Sequence, residues 1–149
     1  MKWIGTLFLI VAGSVQVGCA TGPGDWTDAA EREWTLTRID GKPPLAERMP
    51  TLTLAADGRV AGVAGANRFF GTYAQPQPGR ITFAALGSTR MFRDDPPGLM
   101  QQEQNYLATL GEIDAYRVTP KRLELRSGKK TRLVFEPATF NDAERTTPR

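Results

Sequence analysis

Apolar and polar residues alternate in short runs along most of this chain. Trp34-Thr35-Leu36-Thr37 places Trp34 and Leu36 on one face of an extended segment, and Arg80-Ile81-Thr82-Phe83 does the same with Ile81 and Phe83. A period of two marks strands with one buried face. Thr51 to Ala56 and Arg59 to Val63 flank Asp57-Gly58, a dipeptide suited to a two-residue hairpin loop. That loop pairs Ala56 with Arg59, so Leu54 is expected opposite Ala61 and Leu52 opposite Val63. Three more alternating runs close the chain: Ala115 to Val118, Leu123 to Leu125 and Thr131 to Phe135, joined by Thr119-Pro120-Lys121 and Ser127-Gly128-Lys129.

One segment has the helical period instead. Leu99, Tyr106, Leu107 and Leu110 fall on a single stripe, and Asp94-Asp95-Pro96-Pro97 before them reads as an acidic cap with proline in the first turn. The helix is expected over about residues 97–110, stopping at Gly111. One helix among seven or eight short strands makes a mainly β, α+β domain with an antiparallel sheet.

Between the hairpin and the next strand lies the densest stretch, Gly62 to Tyr73, with Gly65, Asn67, Arg68, Phe69, Phe70 and Gly71 inside it. The glycines suggest a bulge or a close backbone approach. Asn67 sits where the chain must turn, and Asn accepts left-handed angles and bonds its own main chain; presentation to a ligand is the other reading. Neither a Gly-Lys-Ser/Thr phosphate loop nor the dinucleotide glycine spacing is present. Phe69 and Phe70 are neighbours on a strand and cannot both face inward, so one is expected as a contact surface.

Glu103 falls within the apolar helical stripe. A buried carboxylate is costly without partners, and Arg90 in Thr89-Arg90-Met91 is the expected one. The pair reads either as a structural tie between helix and sheet or as a ligand contact.

The N-terminus carries an address. Met1-Lys2 and the apolar run from Trp3 to Val17, too short to span a bilayer comfortably, read as a signal peptide over residues 1–18. Gln16-Val17-Gly18-Cys19 resembles a lipobox, with Gln16 where leucine is usual, so Cys19 is the expected lipid-attachment residue. Several acyl chains would hold the protein to a membrane. Ala20 after the cysteine favours the outer membrane by resemblance to envelope sorting, with the domain facing the periplasm; a soluble periplasmic protein is the alternative. Residues 19–31 read as a flexible tether, in which Trp26 either meets the membrane interface or docks on the domain. The domain spans 32–137, and the polar segment 138–149 reads as a disordered tail.

Composition narrows the chemistry. The chain has 149 residues, no histidine and one cysteine, already assigned. His- or Cys-based metal sites and Ser-His or Cys-His nucleophiles are thereby excluded, and no cofactor or catalytic residue is expected. The net charge of +3 is scattered, without the basic stripe of a nucleic-acid binder. A monomer is expected.

Gly65-Ala66-Asn67-Arg68-Phe69-Phe70-Gly71-Thr72-Tyr73 with Thr89-Arg90-Met91 resembles the signature of the META domain, the HslJ-type family of small bacterial envelope and heat-inducible proteins. Trp34-Thr35-Leu36, Asp40-Gly41-Lys42-Pro43 and Gln102 to Leu107 extend the resemblance over about residues 33–136. It implies a strongly curved, half-barrel-like sheet packed around the helix, with Phe69, Phe70 and Tyr73 beside Leu107 and Leu110. It also implies links to heat and antibiotic tolerance without a settled activity. Relatives often carry cysteines where this chain has Ala66 and Arg93, so any chemistry of that pair is absent here. The leading expectation is a non-catalytic envelope lipoprotein that binds a protein partner. The alternatives are a carrier or sensor of a small apolar ligand such as an acyl chain, held between helix and sheet, and an enzyme using Glu103 with Arg90.

Overall fold

The structure, a computed structural model, describes residues 22–45, 49–93 and 95–139. The signal peptide, Cys19, Asp94 and nearly all of the tail lie outside the described residues. Among the described residues, eight strands form one antiparallel sheet: β1 (Glu33–Ile39), β2 (Thr51–Leu54), β3 (Arg59–Val63), β4 (Arg68–Ala74), β5 (Thr82–Ser88), β6 (Ala115–Thr119), β7 (Arg122–Ser127) and β8 (Lys130–Pro137). The spatial order is β5-β4-β3-β2-β1-β8-β7-β6. Helix α1 (Leu99–Gly111) connects β5 to β6, the two ends of that order.

The sheet curves until its two edges meet at one point. Arg80, just before β5, bridges to Ala115 of β6, and Tyr116 N donates to Gly79 O at 3.0 Å. The sheet is not closed into a barrel; farther along β5, α1 packs against the strand. Tyr106, fully buried on α1, meets Phe69 edge-on at 5.6 Å and Phe135 at 6.4 Å. These rings occupy the space between helix and sheet, together with Trp34, Leu36, Leu52 and Leu54 from the inner face.

The first hairpin departs from its expected register. Leu54 lies opposite Val60, and Thr53 opposite Ala61. Ala55 N donates to Arg59 O at 2.9 Å, so the loop holds three residues, Ala56-Asp57-Gly58, with Gly58 at φ 86. A left-handed residue closing a three-residue loop adds a bulge, and a shift by one exchanges the two faces. Val60 is therefore buried and Ala61 exposed.

Two boundaries also move. The helix begins at Leu99 rather than 97, with Gly98 at φ 89 as its N-terminal boundary residue; a left-handed residue cannot lie inside a right-handed helix. The tether expected over 19–31 is docked over its described part. Pro23 O accepts from Val118 N at 2.8 Å, Trp26 meets Tyr73 at a tilt and Tyr116 edge-on, with ring centroids 5.5 and 4.8 Å away, and Ala29 is fully buried. Trp26 is thus a docking residue, because two tyrosines offer its indole an apolar seat.

Candidate functional site

Asn67 stands at the turn between β3 and β4, 1% exposed, and every hydrogen-bonding atom of its side chain is used. Its Oδ1 accepts from Met91 N at 2.7 Å and from Thr89 Oγ1 at 2.8 Å. Its Nδ2 donates to Met91 O at 2.9 Å and to Glu103 Oε1 at 2.8 Å. Its backbone N donates to Glu103 Oε2 at 2.9 Å. A primary amide has two donors and two acceptor sites, so this one is saturated. Ala64 N donates to Asn67 O at 2.8 Å and completes the turn.

Both oxygens of Glu103, 4% exposed, are therefore held by Asn67. The expected Glu103–Arg90 ion pair is corrected: Arg90 is exposed and makes no ion pair among the described residues. The physical reason is that a turn whose backbone N–H and side-chain amide point the same way satisfies a carboxylate with two donors. The longer guanidinium is left free to reach water.

The other motif residues separate by face. Gly65 and Ala66 are buried in the turn, and Arg68 is exposed while its backbone exchanges bonds with Thr89. Phe69 enters the core, and Phe70 is 59% exposed on the outer face. Gly71 lies opposite a bulge in β5 that contains Ala85 at φ 51; a Cβ there would stand 2.9 Å from Ala84 O, so the residue cannot be larger. Tyr73, expected beside Leu107, packs instead against Trp26 and donates its hydroxyl to Ala55 O at 2.7 Å; partial burial raises its pKa. Burial likewise raises that of Tyr106, whose hydroxyl reaches Thr51 O.

One concavity adjoins this hub, and another lies apart from it on the outer face of the sheet. The first, about 300 Å³, lies between residues 88–92 and α1; Asn67 and Glu103 are part of its lining, and Met91, Phe92, Met100 and Leu107 supply its apolar wall. Met91 and Phe92 are 60% and 86% exposed. The second, about 530 Å³, lies on the outer face of β2 to β5, lined by Phe70, Ala55, Ala61, Gly71 and Ala85 among others. Sequence reasoning flagged an exposed phenylalanine but not this groove, because the small residues lining it come together only across three strand pairings.

A second polar network, missed from sequence, lies at the far end of α1. Arg132 Nε meets Asp40 Oδ1 at 2.6 Å, its Nη1 meets Glu112 Oε2 at 2.7 Å, and Lys130 Nζ lies 3.0 Å from Asp40 Oδ1. The Arg132 hydrogen bond holds Asp40 below the usual carboxylate range and raises Arg132 in turn. No group of three or more His, Cys, Asp or Glu able to hold a metal occurs among the described residues.

A curved antiparallel sheet with one helix, its β3–β4 turn locked by Asn67 to the Thr89-Arg90-Met91 segment, is the setting in which the sequence motifs meet, and the family model of the META domain matches residues 27–140. This chain belongs to the META domain family. A META-like fold recurs in solved structures. One is the NMR structure of a protein from Burkholderia xenovorans, 28% identical, covering 87% of this chain and 99% of that one with a TM-score of 0.62. A second NMR structure is 22% identical over 76% and 94% of the two chains, with a TM-score of 0.60. The crystal structure of a DUF4847 family protein from Bacteroides vulgatus is 17% identical over 76% and 96%, with a TM-score of 0.55. At those last two identities the likeness is one of fold. No curated protein matches the chain.

Proposed function

We propose that this META domain is a non-catalytic module of a bacterial envelope lipoprotein, anchored through Cys19 at the periplasmic face of the outer membrane, and that it supports heat or antibiotic tolerance by binding a protein partner. The observation that carries the partner-binding reading is Phe70, a large aromatic held 59% exposed beside an outer-face groove of about 530 Å³. Rigid aromatics next to apolar concavities are favoured at protein interfaces. Catalysis by Glu103 and Arg90 is disfavoured by geometry, since both carboxylate oxygens are occupied by Asn67. A carrier with its ligand between helix and sheet is disfavoured by the rings of Phe69, Tyr106 and Phe135 in that space.

The test is a photo-cross-linking amino acid at position 70 of the full-length chain in intact cells. A discrete protein adduct, lost when Ala61→Arg fills the groove, is expected. Absence of any protein adduct, with normal heat and antibiotic tolerance of a Phe70→Ser strain, overturns the reading. Cys19→Ala is expected to block acylation, read by incorporation of labelled palmitate.

A further inference from the structure

The groove beside α1 is separate from the Phe70 face and has its own chemistry. Its wall is apolar, and two of its large side chains, Met91 and Phe92, stand mostly in water. Two charged side chains line it among the described residues, and they differ in what they have left to offer a ligand. Glu103 spends both oxygens on Asn67, while Arg90 is exposed and without an ion pair among the described residues. Asp95 is exposed but does not line the groove.

The backbone of the 89–91 segment is already engaged. Thr89 N donates to Arg68 O at 3.0 Å, and Met91 N and O both bond the Asn67 side chain. An extended peptide that recognises a sheet edge needs main-chain groups to pair with, and this segment has few left to offer. A hydrocarbon tail needs only apolar contact. The volume, about 300 Å³, is at the small end of small-molecule sites. Methionine walls suit a flexible chain, because the thioether is polarizable and adaptable.

We propose that this groove binds a single-chain anionic amphiphile, an acyl carboxylate, with its tail along Met91, Phe92, Met100 and Leu107 and its head at Arg90. The Asn67 clamp holds Met91 in place before the ligand arrives, which lowers the ordering cost of binding. Arg90 supplies orientation through a charge-assisted hydrogen bond.

The experiment titrates residues 20–149, labelled at the methionine methyls, with sodium dodecanoate below its micelle-forming concentration and with dodecanol as the uncharged counterpart. This segment contains the whole sheet, helix and core, and the Burkholderia xenovorans structure matches over 99% of its own chain. Saturable shifts of the Met91 and Met100 methyls are expected. Arg90→Gln should weaken dodecanoate at least about tenfold, as loss of one hydrogen bond to a charged group predicts, and leave dodecanol unchanged. Phe92→Ser should weaken both ligands. The two residues are exposed, so both variants are expected to fold. The proposal is overturned by absence of saturation, by shifts confined to the Phe70 face, or by equal dodecanoate affinity in Arg90→Gln. It is also overturned if an acidic, leucine-rich peptide shifts these methyls and dodecanoate does not.

Discussion

Helix α1 is tied to the sheet by two polar networks of opposite character. Near its start, Glu103 and Asn67 meet out of water, each almost wholly buried. At its end, Arg132 joins Asp40 and Glu112 at the surface, where Glu112 remains 58% and Lys130 67% exposed by side chain. In the buried network a bond lost between Asn67 and Glu103 strands a group that is only 1% or 4% exposed, although the Thr89 and Met91 partners stand at the surface. In the exposed network water replaces whatever is removed, so several charges at 2.6 to 3.0 Å contribute less than one amide in the right place. Bond length is a poor guide to stabilisation; solvent access decides.

The strongest test of that contrast is Asn67→Ala, which removes the amide bonds to Glu103 Oε1, Thr89 Oγ1 and both main-chain polar groups of Met91 and leaves only the backbone N–H at position 67 on Glu103 Oε2. A loss of about 3–5 kcal/mol is expected, or a melting temperature lower by roughly 12 °C or more. A fall of only a degree or two would mean that the hub is dispensable. Asn67→Asp keeps the shape but sets a second carboxyl against Glu103. Like charges at contact favour the protonated form, so the variant should be destabilised at pH 7 and should recover towards wild type as the pH is lowered to about 5. Glu103→Gln retains one acceptor for Asn67 and turns an amide donor towards the other bond, for a loss of about 1–3 kcal/mol; an unchanged melting temperature would show that the carboxylate is not needed.

The smallest effect is expected at the surface network. Asp40 is held below the usual range by Arg132, so its contribution is complete above the unfolded value of about 3.9 and disappears as the pH falls through the lower folded value. Wild-type melting temperature should therefore drop further than that of Asp40→Asn on acidification below about pH 4. At pH 7 Asp40→Asn should cost no more than about 1 kcal/mol. The pH slopes of Asn67→Asp and of the Asp40 network run in opposite directions, and thermal melts from pH 7 to 3 separate the two.

Much of this molecule is legible along the chain. Alternation located the strands, the Leu99–Leu110 stripe located the helix, and the motifs around Asn67 and Arg90 marked the family that the comparison bears out over residues 27–140. That Phe69 and Phe70 would part, one inward and one outward, followed from strand geometry alone, and the structure bears it out. These features are local: each depends on neighbours within a few positions, where propensity and period carry the information.

Other features waited for the fold. The partner of Glu103 lies 36 positions away; the sequence pointed to Arg90, and Asn67 takes that place only because the turn aims two N–H groups at the carboxylate. The face of Val60 hinged on whether Gly58 closed a loop of two residues or three, a choice that the Asp-Gly dipeptide permits either way. The docking of Trp26 required Tyr73 and Tyr116, from strands far apart in the chain, to meet where the curved sheet brings its edges together. Sequence by itself determined which segments extend, which one coils and which residues avoid water. Tertiary structure decided which polar group satisfies which, because pairing depends on register and distance, and these exist only once the sheet has curved around its helix.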